Sequence, residues 1–205
     1  MSTMRPVVLA SASPRRRELL AQIGLSFSVC PVDIDETCLP GERPEHYVER
    51  LAREKAEAGL EQANDAASLV IGSDTTVVCE DRIMGKPVDA AEAADMLRFL
   101  SGRTHRVMTA VALAGDFGCY ARLVMTEVRF RELGEDEIHA YWLTGEPRDK
   151  AGGYGIQGRG AVFVNGLWGS YSAVVGLPLQ ETAELFAEAG QPVWKTWLPS
   201  AEKSV

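Results

Sequence analysis

The stretch Val7-Val8-Leu9-Ala10-Ser11-Ala12-Ser13-Pro14-Arg15-Arg16-Arg17 decides how the rest of the chain is read. An apolar run of β character stops at two serines and a proline, and three arginines then open an amphipathic segment, Glu18-Leu19-Leu20-Ala21-Gln22-Ile23, which Gly24 closes. Ser13 suits the N-cap, Pro14 the first helical position and Gly24 the exit. A strand that delivers cations and unpaired backbone N–H groups to a helix start builds an anion site. The plain alternative is that the arginines are a solvated first turn. Cations there oppose the helix dipole, so three in a row favour an anionic ligand such as the phosphates of a nucleotide.

Working outward, Leu25–Val29 predicts a short strand, followed by the acidic turn Asp33-Ile34-Asp35-Glu36-Thr37, and Pro44 opens a second helix to about Glu61. On that helix Val48, Leu51, Ala52, Ala56 and Gly59 share a face, with Lys55 in its middle. A lysine there either snorkels to the rim of the core or meets an anion. The run Ser68–Ile71 predicts a core strand that ends at Gly72-Ser73-Asp74, with another strand starting by Val77. Asp74 then stands at a strand end, where α/β folds place their chemistry, or is a turn aspartate. Ile83–Pro87 is expected to be a rigid loop carrying Lys86, and Pro87 in the Ser/Thr position excludes a Walker A reading.

Asp89 caps a third helix, Ala90–Leu100. Two long strands, His105–Ala114 and Tyr120–Leu133, form a hairpin with one wet face, and a helix from Gly134 to about Thr144 follows. Gly152, Gly153, Gly155, Gly158 and Gly160 make a glycine-rich segment that matches GxGxxG formally. No strand precedes it and no helix follows, so a dinucleotide fold is excluded. So many glycines imply backbone passing close to a ligand or another strand. Ser170–Val175 predicts a further strand, and a last helix ends near Gly190. The tail, 190–205, carries Trp194 and Trp197 with no clear pattern, capping a surface or joining a partner chain.

The alternation of strands and helices indicates a mixed α/β protein, and its hairpins exclude an all-parallel sheet. The 205 residues suffice for one large domain or two lobes sharing a core. A net charge of -8 argues against sequence-independent binding to nucleic acid, so an anionic small molecule would need a local basic cluster. The four cysteines form no CxxC pair and read as reduced thiols. No run approaches a membrane span and no signal-peptide core opens the chain, so a soluble cytoplasmic protein is expected.

The cations Arg15, Arg16, Lys55 and Lys86, the carboxylates Glu36 and Asp74, and Ser11 make up what metal-assisted hydrolysis of a polyphosphate requires. Lysine and arginine neutralise phosphate oxygens, carboxylates hold a hard cation, and one of them orients or deprotonates water. No histidine lies in these segments and Ser11 has no evident base, which argues against a covalent serine mechanism.

Ala10-Ser11-Ala12-Ser13-Pro14-Arg15-Arg16-x-x-Leu19-Leu20 resembles the opening signature of the Maf proteins, nucleoside triphosphate pyrophosphatases, and the resemblance runs from about Val7 to Leu185. It implies one domain over 1–205 with a core of about 7–189. The implied fold is a curved mixed β-sheet flanked by helices, in two lobes with a deep central cleft. It also implies a homodimer, and a divalent cation (Mg²⁺, Mn²⁺ or Co²⁺). By resemblance Asp74 is the proton acceptor and Glu36 its metal-binding companion. Ser11, Arg16, Lys55 and Lys86 are the phosphate contacts. Arg15, Thr75 and Gln157 look like markers of the branch that acts on dTTP and UTP. Gln157 makes physical sense there, since an amide pairs with both a carbonyl and the N3–H of uracil or thymine. The alternative is an amide bracing the glycine loop. Two other readings of the chain are a pyrophosphatase for purine analogues such as ITP and a nucleotide-binding regulator of cell division.

Overall fold

The computed structural model describes residues 4–63, 65 and 67–198. The opening stretch folds as read. Strand β1 (Val7–Leu9) leads through Ser11 and Ser13 into helix α1 (Pro14–Gln22), whose N-cap Ser13 accepts the Arg16 N–H. Gly24 leaves the helix at φ +79°, a left-handed conformation that a β-carbon would strain. There follow β2 (Ser28–Val29), α2 (Pro44–Ala63), β3 (Leu69–Cys79), β4 (Arg82–Met84), α3 (Ala90–Leu100), β5 (Thr104–Gly115), β6 (Gly118–Phe130) and α4 (Glu135–Leu143). Three short 3-10 turns between Glu146 and Phe163 lead to β7 (Val164–Trp168), α5 (Tyr171–Val175) and α6 (Leu179–Glu188).

The seven strands form one mixed sheet in the order β2-β1-β3-β5-β6-β7, with β4 paired to β3. Strand β1 runs parallel to β2 and β3, whereas β4 on β3 and β7 on β6 are antiparallel. The chain divides into two compact units. The first comprises residues up to Asp74, Thr109–Leu123 and the chain from Gly176, and the second Thr75–Met108 and Val124–Val175. In the first unit Val8, Ala10 and Val70 pack with Leu60 and Ala63 of α2. In the second a larger core gathers Met96, Leu97 and Leu100 of α3 with Phe130, Tyr141, Tyr154 and Phe163.

Three local expectations are corrected. The break at Gly72-Ser73-Asp74 does not exist: β3 is one strand of 11 residues, with Asp74 in its interior. Gly72 is there for space. A β-carbon on it would lie 2.3 Å from the Ala52 carbonyl oxygen and 2.5 Å from the Ala56 nitrogen. Helix α2 lies directly on the strand, and a strand glycine permits that close approach. Likewise Ile83 and Met84 are strand residues of β4, not loop. The segment after Ser170 is a helical turn, because the Ser170 hydroxyl accepts the Ala173 N–H and starts a helix despite the β-branched Val174-Val175.

The tail packs on its own unit. Trp197 donates its indole N–H to the Ile23 carbonyl at 2.8 Å and covers Gly24, while both Trp194 and Trp197 keep large exposed faces. The remainder of the predicted tail, 199–205, lies outside the described residues.

Candidate active site

Lys55 meets anions rather than snorkelling. Because Ala52, Ala56, Gly59 and Gly72 let α2 lie flush on the sheet, the buried Lys55 stem ends against β3. Its ammonium donates to Asp74 Oδ1 at 2.7 Å and pairs with Glu36 Oε1 at 2.6 Å. The Lys55 and Asp74 side chains are 10% and 12% exposed and Glu36 is 46% exposed, so the cluster opens to water on the Glu36 side. Helix α2 also holds the loop that carries Glu36. Tyr47 donates its hydroxyl to the Glu36 carbonyl at 2.9 Å. Arg50 donates to the Thr37 carbonyl at 3.1 Å and, through Nε and Nη2, to the two Glu42 carboxylate oxygens at 2.7 and 2.8 Å. Bidentate pairing fixes direction as well as distance.

The turn between β1 and α1 adds the next members. Ser11, 9% exposed, accepts the Ser13 N–H at 3.2 Å and an Arg16 Nη1 hydrogen at 3.3 Å. Arg16 also donates Nε to the Gly176 carbonyl at 2.8 Å, and the same carbonyl accepts from the buried Ser73 hydroxyl at 3.0 Å. Gly176 thereby ties Arg16 to the residue next to Asp74. The electrostatics match this closeness. Burial draws the Arg16 guanidinium pKa down, the charges of Asp74 and Glu36 oppose the fall, and Arg15 adds to it. Although part of its surface is exposed, Arg16 stays charged, as guanidinium groups do at any ordinary pH. Tyr47 is pushed up to about 12, by burial first and then by the negative charges of Asp74 and Glu36.

Five of the predicted residues, Ser11, Arg16, Glu36, Lys55 and Asp74, therefore come together in the first unit, and Arg15 lies on the same helix turn. Thr75, Lys86 and Gln157 belong to the second unit. Thr75 is half-buried on β3, and Lys86 and Gln157 are exposed. Within that unit the loop of Lys86 is tied to the glycine segment by a Gly152 N–H to Gly85 carbonyl bond of 3.0 Å.

Residues that sequence reasoning missed are Tyr47, Arg50, Ser73 and Gly176. Tyr47 and Arg50 had a visible signal, since with Glu54 they recur at i, i+3 and i+7 beside the apolar face of α2. Gly176 acts through its carbonyl alone, which no residue type announces.

Comparison with known proteins shows the family. The family model described as Maf-like protein matches residues 6–189, and the chain belongs to that family. It is 55% identical over 193 residues to a curated relative from Saccharophagus degradans named dTTP/UTP pyrophosphatase, covering 93% of this chain and 92% of the relative. A second with that name, from Hahella chejuensis, is 53% identical over 191 residues, covering 93% and 95%. Likeness to solved structures is weaker. A dITP/XTP pyrophosphatase from Mycobacterium abscessus is 18% identical with a TM-score of 0.42, covering 96% of this chain and 100% of that one.

Proposed function

We propose that this protein hydrolyses dTTP and UTP between the α- and β-phosphates, releasing pyrophosphate and the nucleoside monophosphate. The observation that carries the reading is the cluster in which Lys55 bridges Asp74 and Glu36 beside Arg16 and Ser11. Its support in substrate class comes from the names of the relatives. In this reading residues 1–205 form one domain with a core of about 7–189.

The chemistry follows from the side chains. A triphosphate brings several negative charges, which Arg16 and Lys55 neutralise, and Lys86 serves as a further phosphate contact. Asp74 accepts a proton from water as the water oxygen adds to the α-phosphorus. The bond from that phosphorus to the α–β bridging oxygen breaks, and pyrophosphate leaves with the electron pair. Glu36 and Asp74 also suit a divalent cation, being two hard carboxylates that already share one positive charge, the Lys55 ammonium. When bound, such an ion supplies charge neutralisation at the phosphate oxygens. Arg15, Thr75 and Gln157 select the base, Gln157 by pairing its amide with the carbonyl and N3–H that uracil and thymine share.

The experiment is a panel of triphosphates with Mg²⁺, in which both products are identified. Pyrophosphate release from UTP and dTTP ahead of CTP, ATP and ITP is expected. Orthophosphate release would overturn the reaction, and ITP turned over ahead of dTTP would overturn the substrate class.

A further inference from the structure

The glycine-rich segment does pass close to something, and that something is the chain's own Glu146. Its Oε1 accepts the Tyr141 hydroxyl at 2.7 Å and the Gly160 N–H at 3.1 Å, and its Oε2 accepts the Arg159 N–H at 2.9 Å. The Tyr141 hydroxyl oxygen in turn accepts the Gly155 N–H at 3.0 Å, and Lys150 donates to the Glu146 carbonyl at 2.7 Å. Burial pushes the Glu146 carboxyl pKa up. The backbone donors of Arg159 and Gly160, then Tyr141 and the charge of Lys150, outweigh burial and hold it below the usual range. A carboxylate so supplied is kept as an anion.

The glycines fall where this carboxylate needs room. A β-carbon on Gly158 would lie 2.5 Å from the Glu146 carboxyl carbon and from both its oxygens. One on Gly160 would lie 2.7 Å from the Tyr141 hydroxyl and 2.8 Å from the Gly155 oxygen. One on Gly155 would lie 2.7 Å from Lys150 Cε and 3.1 Å from Glu146 Oε1. Gly158 sits at φ −110°, which any residue can adopt, so the demand is for space. In sequence Gln157 stands between the two clamped sides. Gly155 is held through Tyr141, Arg159 and Gly160 are held directly, and the Gly158 N–H closes the turn on the Gly155 carbonyl at 3.2 Å.

We propose that Glu146 is a positioning residue for Gln157: its carboxylate substitutes for an external anion at the centre of the glycine loop and thereby fixes the amide that reads the base. This rests on the reading of Gln157 given above. Hydrogen bonds to a charged group are the stronger kind, and loss of one such group changes binding by about tenfold. Glu146→Gln keeps the shape, but its amide nitrogen turns N–H groups toward N–H groups. It is expected to raise KM for UTP about tenfold, leave kcat within about twofold, and reduce the preference for UTP over CTP in proportion.

The test compares Glu146→Gln, Gln157→Ala, the double variant and Gly158→Ala, which attacks the same contact from the loop side, with thermal unfolding followed for each. The expected results are equal loss of base preference in all four and no further loss in the double variant over Gln157→Ala. If Gln157→Ala loses base preference while folded Glu146→Gln and Gly158→Ala keep it, the positioning role is overturned and the function stands. If Gln157→Ala keeps its preference, Gln157 does not read the base and the proposal falls with that assignment. Loss of kcat on every triphosphate alike, with a fall in melting temperature, would make Glu146 a structural residue only and also overturn it.

Discussion

Two regions of this molecule hold carboxylates in opposite ways. Asp74 and Glu36 are brought to a single lysine by segments far apart in sequence, and their partners are charged side chains with one edge open to water. Glu146 is enclosed by residues within 14 positions of itself, and its partners are backbone N–H groups and a tyrosine hydroxyl. Side-chain charges can exchange one counter-ion for another, as the phosphate site proposed above must. Backbone donors locked by glycines cannot, so Glu146 organises and does not react. What separates a chemical carboxylate from a structural one is the identity of its donors.

The sharpest way to break this contrast is to remove each charge with the shape kept. Asp74→Asn is expected to lower kcat by about 10²–10⁴-fold for every triphosphate, since it deletes the proton acceptor proposed above. Glu146→Gln is expected to act on base preference instead. Steady-state pyrophosphate release from UTP and CTP separates the two, and the contrast fails if both variants lose kcat equally.

A second effect, on stability, tests how the first region is assembled. Gly72→Ala places a methyl group against the Ala52 and Ala56 backbone, and overpacking of this kind costs on the order of 1–3 kcal/mol. Denaturant unfolding measures it. Activity should fall with it, because α2 carries Lys55 to Asp74. An unchanged midpoint would mean that α2 does not depend on that glycine.

A pH-dependent effect on stability belongs to the second unit, which holds His105. Burial holds His105 down to about 4, against an ordinary value of 6.5, and its Nε2 meets the Tyr154 hydroxyl at 2.8 Å. The unfolded chain therefore binds the proton more readily. This contribution is fully present above about 6.5, declines as pH falls toward 4, and amounts to roughly 3 kcal/mol at most. Unfolding free energies at pH 7 and 4.5 should differ accordingly, and His105→Gln should flatten the difference. An equal slope in the variant would remove His105 as the cause.

Much of this was legible in the sequence, and the parts that were not share a reason. Helix α3 begins and ends where Asp89 and the apolar spacing place it, and the β1–α1 turn follows from Ser13 and Pro14. Local rules suffice where the partners are local. Gly72 reads as a strand break because a glycine that breaks a strand and one that admits a helix look alike until the helix is in place. The role of Lys55 was visible as an anomaly on an apolar face, but Glu36 and Asp74 as its partners depend on tertiary packing. Ser170–Val175 carried β-branched residues whose preference one serine hydroxyl overrode.

Hydrolysis of UTP in ¹⁸O-labelled water, with both products weighed by mass spectrometry, tests the central claim most directly. With water added at the α-phosphorus, the label is expected in UMP and none in pyrophosphate. Label in the pyrophosphate, or release of labelled orthophosphate, would contradict the account.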